Sequence, residues 1–360
     1  MIHSIRGGLR LEANKQRSTR SLLRSASIPD ELVIPLDQHA GDAAIPLVTP
    51  GDAVLLGQPI AQPGSELSAW LHSPVSGTIA AIESRPTTQH VAPCIVIRND
   101  GRDTPYGTAP VDFQSLSPAA LCEHIARGGI VGLGGATFPT NVKLGQASGR
   151  QNLHLLLNGA ECEPWISCDD ALMREHAADI IFGAGVLRHA LGAAKCTIAV
   201  EDDVPEAVAA LRTAAAGSDI AVAVVWSIYP AGGERQLIYA VTGNEVPSGG
   251  LPSDIAVICQ NVGTAAAAAR WLRDGQPLIS RIVTVTGSGV REPGNLEMRI
   301  GTPVATLIAD CGGYADTATQ LIMGGSMMGL ALTNDTLPAV KGTNCVIVAA
   351  GTDLHARDAE

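Results

Sequence analysis

The chain has 360 residues, enough for two or three domains at the usual size of about 100–200 residues each. A hydrophobic content of 46% supplies material for buried cores, and 39 glycines with 22 prolines argue against a coiled coil and indicate a loop-rich globular protein. The net charge of −11 argues against nucleic acid as the main partner, because phosphate binding needs a clustered positive field.

No run of about 18 apolar residues or apolar signal core occurs, so we expect a cytoplasmic chain with no transmembrane segment. No two of the eight cysteines are separated by only two residues, which predicts neither a zinc ribbon nor a ferredoxin-type cluster run. Most cysteines are predicted to be reduced and buried. The basic stretch 6–24 is typical of a solvated arm, with docking to an acidic partner or a membrane surface as the alternative.

The first hundred residues are predicted to be β-structure, because short apolar runs alternate with Gly/Pro turns. The segments GDAVLLGQPIA (51–61) and SPVSGTIAAI (73–82) resemble the two halves of a lipoyl- or biotinyl-type barrel-sandwich hybrid. A carrier domain of that type needs a lysine between the halves. None occurs between Lys15 and Lys143, which excludes the carrier function.

From residue 117 the pattern changes to α/β. Ser117 followed by Pro118 predicts a helix start, and the helix should end at Gly128. Apolar strands are predicted at 153–157, 197–200, 220–226 and 255–259, with helices at 169–191, 205–216, 233–242 and 264–273. This alternation predicts a mostly parallel sheet covered on both faces. Glycines at 183 and 185 favour a break in the long helix.

After residue 277 the pattern of predicted elements changes again. Strands at 281–286 and 295–300, followed by a helix from 302 to 311, predict a small β-grasp unit. A glycine- and methionine-rich stretch at 323–329 and a last strand at 344–348 follow.

The strongest local signal is GLGGATFPTNVK (132–143), a glycine-rich turn after an apolar pair. Glycines let backbone N–H groups approach a phosphate or a flat ring, and Lys143 would add positive charge. The loop departs from the dinucleotide fingerprint, because Thr137 stands where the third glycine is needed, and it lacks the ending of a P-loop. A plain tight turn is the alternative.

Three further polar loops follow predicted strands: NGAECEP (158–164), YPAGGE (229–234) and QNVGT (260–264). In the first, Glu161 and Glu163 could cap the next helix or hold a metal. Because the carboxyl ends of parallel strands meet at one edge of a sheet, we expect all four loops to converge there. A bound nucleotide or flavin is the leading interpretation.

These stretches resemble the C subunits of Rnf electron-transport complexes, relatives of the flavoprotein (NADH-binding) subunit of respiratory complex I. The resemblance runs from about residue 33 to residue 329 and includes VIPLDQHAG, SPVSGTIAAIE, GIVGLGGATFPTNVKL, NGAECEPWISCDDALMRE, YPAGGERQLIYAVTGNEVPSGGLPSD, QNVGTA, RIVTVTGSGVREPGN, IGTP and GGSMMG.

The resemblance implies an α/β chain with a Rossmann-like flavin/NADH domain, an N-terminal β barrel-sandwich domain and a small β-grasp domain. The expected ranges are the barrel-sandwich domain with its basic arm at 1–100, a linker at 101–116, the FMN/NADH domain at 117–276, the β-grasp domain at 277–322 and a C-terminal segment at 323–360. That segment would lead to an iron–sulfur domain with two [4Fe–4S] clusters, which this sequence does not include.

The resemblance also implies the site. Residues near FMN would be Gly132, Gly134, Gly135, Ala136, Lys143, Asn158, Tyr229, Gly232, Asn261 and Thr264. Phe138 would stack on the nicotinamide of NADH, and Glu163 and Glu234 would face NADH and bond its ribose hydroxyls or carboxamide. No side chain of the chain is expected to act as a catalytic residue or metal ligand.

The implied activity is hydride exchange between NADH and FMN, followed by one-electron transfer to iron–sulfur partners, in a membrane ion-translocating NADH:ferredoxin oxidoreductase. Expected partners are the other Rnf subunits, NAD(H) and, indirectly, ferredoxin, with the chain peripheral at the cytoplasmic face of the bacterial inner membrane. Two departures are Thr137, where the family loop usually has glycine, and the absence of cluster cysteines before Glu360. The alternatives are a scaffold protein of the complex without flavin and a corrinoid-reducing flavoprotein.

Overall fold

A computed structural model describes residues 2–3, 7–147 and 149–353. The N-terminal part carries β-structure, as predicted. Its elements are β1 (Ile2–His3), a 3-10 helix (Lys15–Arg17), β2 (Arg24–Ser25), β3 (Glu31–Pro35), β4 (Ile45–Pro46), β5 (Ala53–Val54), β6 (Pro59–Gln62), β7 (Leu71–His72), β8 (Gly77–Pro86) and β9 (Val91–Asn99). Two antiparallel sheets form, one in the order β3-β9-β8-β5 and one in the order β4-β6-β7.

The second part is the predicted α/β domain. Its elements are a 3-10 helix (Phe113–Ser115), α1 (Pro118–Arg127), α2 (Thr140–Gly145), β10 (His154–Gly159), α3 (Cys168–Glu175), α4 (Ala177–Leu191), β11 (Lys195–Glu201), α5 (Pro205–Ala214), β12 (Ile220–Val225), α6 (Glu234–Thr242), a 3-10 helix (Pro252–Ile255), β13 (Val257–Asn261) and α7 (Val262–Asp274). The strands form a parallel sheet in the order β1-β12-β11-β10-β13. Ser117 caps α1 as predicted, since its Oγ accepts from the N–H of Ala120 at 3.3 Å.

The predicted break near the glycines of the long helix is wrong. The helix is interrupted at His176, between α3 and α4, and both Gly183 and Gly185 lie inside α4. Gly183 serves packing instead, because a Cβ at this position would overlap the carbonyl oxygen of Ala265 in α7. The absence of a side chain lets the backbones of α4 and α7 come into direct contact.

The third part contains β14 (Ser280–Thr286), β15 (Gly294–Arg299), α8 (Val304–Asp310), β16 (Ala318–Met323), β17 (Leu330–Leu332) and β18 (Cys345–Ala350). These strands form a mixed sheet with β2, in the order β17-β16-β18-β14-β15-β2. Because β18 lies between β16 and β14, the sheet extends well past residue 322, where the predicted β-grasp domain ends.

The N-terminal arm is solvated only in part: Arg10, Arg17 and Arg20 are exposed, as its basic composition predicts, whereas Lys15 is buried. Lys15 is 7% exposed, and its Nζ donates to Glu201 Oε2 at 3.0 Å and to the carbonyl oxygen of Glu161 at 2.6 Å. The backbone of Leu9 exchanges two hydrogen bonds with that of Tyr229, at 2.7 and 3.0 Å. Since β2 pairs with β15, the arm joins the α/β domain to the third domain.

No helix in the described ranges is both long and apolar enough to cross a membrane. The eight cysteines are free thiols, and all except Cys122 and Cys162 are buried.

Candidate functional site

The glycine-rich loop is a closed turn that leads into α2. The N–H of Gly132 donates to the carbonyl oxygen of Phe138 at 2.8 Å, and the N–H of Thr140 donates to that of Ile130 at 3.1 Å. Between these bonds, residues 134–136 are exposed and Phe138 is half-buried. The loop therefore presents a strip of main chain with little side-chain cover, which suits contact with a flat ring or a phosphate.

Thr137 occupies a backbone conformation that normally belongs to glycine. Its φ is +47°, within the left-handed region that β-branched residues rarely adopt. Its carbonyl oxygen accepts from the N–H of Ala40 at 3.1 Å, which ties the loop to the barrel domain. The chain thus keeps a glycine-type backbone at this position although the residue is threonine.

We expect Thr137→Gly to raise the free energy of unfolding by about 0.5–1 kcal/mol, since relief of left-handed strain of about 1–2 kcal/mol exceeds the entropy cost of a glycine. Urea denaturation followed by circular dichroism measures the change. Ala136→Gly is the matched control: Ala136 has no positive φ, so this variant should lose about 0.5–1 kcal/mol. Equal losses in both variants would contradict the assignment of strain to Thr137.

Three predicted site residues meet at the carboxyl edge of the parallel sheet. Asn158 Nδ2 donates to the carbonyl oxygen of Gly232 at 2.8 Å, and Asn261 Nδ2 donates to Asp169 Oδ2 at 2.7 Å. Gly232 has no space for a side chain, because a Cβ there would overlap the carbonyl oxygen of Ala160. The predicted convergence of loops at one sheet edge is therefore present.

Thr264 and Tyr229 support this edge from within. Thr264 is fully buried, and its Oγ1 accepts from the N–H of Leu133 at 3.0 Å and donates to the carbonyl oxygen of Val131 at 3.3 Å. Tyr229 is half-buried and its backbone is held by Leu9. Thr264 thus fixes the start of the glycine loop, with its hydroxyl engaged on both sides.

Lys143 and Glu234 bring a pair of charges to the same region. Lys143 lies in α2 and Glu234 is the first residue of α6. Lys143 Nζ lies 2.5 Å from Glu234 Oε1, with 23% and 38% of the two side chains exposed. An anionic group that reaches Lys143 would therefore compete with Glu234 for the ammonium.

The acids of the NGAECEP loop are held by backbone groups. Glu161 Oε1 accepts from the N–H of Asp169 at 3.1 Å and from the thiol of Cys168 at 3.2 Å, so it caps α3. Burial and the neighbouring Asp169 raise the pKa of Glu161 to about 8. Glu163 Oε2 accepts from the N–H of Met327 at 3.3 Å, and burial raises the pKa of Glu163.

Glu161, Cys168 and Asp169 have potential ligand atoms within 4.8 Å of one another. Burial, together with the acids, raises the pKa of the Cys168 thiol well above its usual range. The contacts of Glu161 with Cys168 and Asp169 account for the cluster as a capped helix start.

A cavity of about 590 Å³ adjoins the glycine loop. Its walls are residues 134–137 of the loop, Glu163, residues 37–40 and 87–90 of the barrel domain, and residues 323–325 and 342–344 of the third domain. Its charged groups include Asp37, paired with His90 at 2.6 Å, and Glu163; among the described residues that line it there is no lysine or arginine. A flat uncharged ring suits this cavity better than a phosphate does.

Nine of the thirteen predicted site residues therefore fall into two groups that share the glycine loop, and Phe138 is not among the residues that line the cavity. Gly134, Gly135, Ala136 and Glu163 line the cavity, whereas Lys143, Asn158, Gly232, Asn261 and Glu234 lie at the sheet edge. Gly134 connects the two groups, because a Cβ there would lie 3.5 Å from that of Asn261. Sequence reasoning missed two buried cations close to the site, Lys15 and Lys341. The sequence held one signal that could have singled out these two residues: lysine is rare in this chain, which has only four.

Three family models match successive parts of the chain. Residues 3–102 match the RnfC barrel sandwich hybrid domain, residues 125–270 match the Nuo51 FMN-binding domain, and residues 282–331 match the SLBB domain. These matches agree with the fold class expected from the sequence.

Curated relatives that are named as the C subunit of an ion-translocating oxidoreductase complex are similar over nearly all of the chain. Identity is 45% to the Pseudomonas aeruginosa protein and 44% to that of Vibrio cholerae, each over 98% of the chain and 46% of the relative. It is 39% to the Rhodobacter capsulatus protein, over 97% of the chain and 69% of the relative. The chain thus spans about half the length of the first two relatives.

The fold also resembles that of a solved structure, a NAD+-reducing [NiFe]-hydrogenase in the H2-reduced state. The TM-score is 0.56 at 22% identity, over 67% of this chain and 49% of the other.

Proposed function

Because the chain belongs to the family of C subunits of ion-translocating oxidoreductase complexes, we propose that it binds FMN and NADH at the glycine loop and passes electrons to iron–sulfur partners. The observation that carries the proposal is the glycine loop itself. Its open main chain adjoins a cavity of about 590 Å³ and leads to Lys143, the cation of the sheet edge.

The residues fit the two halves of FMN separately. The phosphate is anionic, and Lys143 supplies the positive charge that the cavity walls lack. The isoalloxazine ring is flat and largely uncharged, and the exposed main chain of residues 134–136 gives it an uncovered surface. The chain residues assigned to FMN are Gly132, Gly134, Gly135, Ala136, Lys143, Asn158, Tyr229, Gly232, Asn261 and Thr264, of which Thr264 acts by holding the loop.

When bound, FMN would be able to accept a hydride from NADH and to release the electrons one at a time. The protein's part is to orient the two rings and to exclude water. Phe138, half-buried beside the loop, is assigned to the nicotinamide. Glu163 lines the cavity and is assigned to the carboxamide or a ribose hydroxyl of NADH, from whose N–H or O–H groups its carboxyl oxygens can accept hydrogen bonds. Glu234 is assigned to the ribose of NADH. In that role it no longer pairs with Lys143, whose ammonium is then free to bind the phosphate of FMN.

The complex itself is proposed from the family. The partners would be the other subunits of the Rnf complex and, indirectly, ferredoxin, at the cytoplasmic face of the bacterial inner membrane. The [4Fe–4S] clusters that receive the electrons would lie in an iron–sulfur domain outside this chain.

The test is FMN affinity of the Lys143→Ala variant. Loss of a charge-assisted bond to the phosphate should weaken FMN binding by roughly 10- to 100-fold, which corresponds to about 1.5–3 kcal/mol. Quenching of flavin fluorescence on titration measures the affinity. Lys195→Ala, at the exposed first residue of β11, is the matched control and should bind FMN like wild type.

Equal affinity of Lys143→Ala and wild type would overturn the placement of the phosphate. If wild type bound neither FMN nor NADH, the scaffold alternative would replace the proposal. A bound flavin that is bleached by NADH would support the hydride step.

A further inference from the structure

The side chain of Lys341 joins three domains at one point. Lys341 lies between β17 and β18 and is 1% exposed. Its Nζ donates to the carbonyl oxygen of Gly129 at 2.7 Å and to that of Trp70 at 2.9 Å. Trp70 precedes β7 of the barrel domain, and Gly129 lies between α1 and the glycine loop. One amine therefore ties the third domain to the other two.

The residues around Lys341 reach the glycine loop directly. Arg281 of β14 donates from its guanidinium to the carbonyl oxygens of Lys341 and Leu133, the latter at 3.2 Å. A Cβ at Gly342 would lie 3.1 Å from Cγ2 of Thr137. The wall of the cavity at 342–344 thus follows immediately after Lys341 and contacts the loop.

The barrel domain holds the same segment by a second contact. Gln38 Oε1 accepts from the backbone N–H of Lys341 at 3.0 Å, and Gln38 itself lines the cavity. Both the main chain and the side chain of Lys341 are therefore fixed by groups from outside its own domain.

No counter-charge is paired with Lys341 among the described residues. No carboxylate in the described part of the chain is bonded to its Nζ, and the titratable and charged groups that face it are His72, His39 and Arg281. Burial and the lysine lower the pKa of His72 to about 3 and that of His39 to about 4, so both rings are neutral at pH 7. Nδ1 of His72 is buried and has no hydrogen-bond partner in the ranges that the structure describes.

We propose that Lys341 is a positioning residue, whose amine fixes the glycine loop and the 342–344 wall of the cavity against the barrel domain and so sets the affinity for the flavin. The identity of the ligand rests on the proposed function, whereas the control of the loop by Lys341 does not.

The protonation state of the Lys341 amine affects this positioning role, because it sets how many hydrogen bonds the amine can donate. Burial lowers the pKa of Lys341 to about 7. An ammonium has three protons to donate, for the carbonyl oxygens of Trp70 and Gly129 and a third acceptor, for which Nδ1 of His72 is available. A neutral amine has only two.

Hydrogen exchange in the ligand-free chain tests the positioning. In Lys341→Met, amides of residues 130–138 and 342–344 should exchange about tenfold faster than in wild type, because the lost contacts hold these segments closed. The amides of β11 should keep their wild-type rate. Lys195→Met, the same change at an exposed site, should alter neither segment. Unchanged exchange in the loop, or equal acceleration throughout the chain, would overturn the proposal.

The pH dependence of unfolding is a second, independent readout. Between pH 7.5 and 9.5 the folded lysine is mostly neutral while the unfolded one keeps its proton, so stability rises with pH. The unfolding constant of wild type relative to Lys341→Met should fall by about tenfold per pH unit. Parallel pH profiles would show an amine that does not titrate as a buried group and would contradict the proposal. If Lys341→Met does not fold, Lys341→Arg, which cannot lose its charge, takes its place.

FMN affinity separates this proposal from the proposed function. If wild type binds FMN and a folded Lys341→Met binds it equally well, the positioning role fails and the function stands. If wild type does not bind FMN, the function fails and the exchange experiment still decides whether Lys341 controls the loop.

Discussion

Lys15→Met is expected to lower the free energy of unfolding by about 3–5 kcal/mol, the usual cost of leaving one member of a buried ion pair alone. Glu201 is 1% exposed, and Lys15 at 3.0 Å is its ion-pair partner. Burial raises the pKa of Glu201, and the attraction of Lys15 opposes that rise. Thermal or urea denaturation of the full chain measures the loss.

The pH dependence of this loss follows from Glu201. Without Lys15, burial raises the pKa of Glu201 further, so the folded variant holds a proton that the unfolded chain has lost above about pH 4.5. Stability of the variant therefore falls as pH rises, and the loss should be larger at pH 8 than at pH 5. The double variant Lys15→Met/Glu201→Gln, which removes both charges, should recover most of it. A loss that neither changes with pH nor recovers would rule out the ion pair as its cause.

Gly183→Ala is expected to cost about 2–4 kcal/mol, because the new Cβ collides with backbone, which cannot turn aside as a side chain can. The atoms in its way are the carbonyl group and Cα of Ala265 in α7. Helix α4 must then move away from α7, and the contacts between the two helices are lost along their length.

Gly185→Ala is the matched control, two residues away in the same helix. Its Cβ would meet Cζ of Phe113 at 3.7 Å, an ordinary contact. Because alanine favours a helix over glycine, this variant should gain about 0.5–1 kcal/mol. Urea denaturation of both variants gives the comparison. If both were stabilised, the close approach of α4 to α7 would be wrong.

The sequence was sufficient for features that depend on local order. Alternating strands and helices predicted the parallel sheet, and the rule that strand ends share an edge predicted that Asn158, Gly232 and Asn261 come together. The start of α1 at Ser117 was predictable because a cap is set by neighbouring residues.

Features that depend on distant contacts were not predictable. A basic composition indicates a solvated arm, and nothing near Lys15 points to Glu201, which lies 186 positions away. The glycines of α4 indicated a break because helix propensity is local, whereas their effect depends on packing against α7. Lys341 likewise meets Trp70 across 271 positions.

The pairing of β2 with β15 has a consequence for the order of events during synthesis. Arg24 lies opposite Leu296, so the strand near the start of the chain finds its place only after almost 300 residues have been made. At a ribosomal speed of about 5–20 residues per second, β2 waits roughly 15–60 s for β15. The barrel domain, whose strands all lie within residues 31–99, can complete its own pairing long before. We therefore expect co-translational folding in which the barrel domain forms early and β2 pairs with β15 only much later.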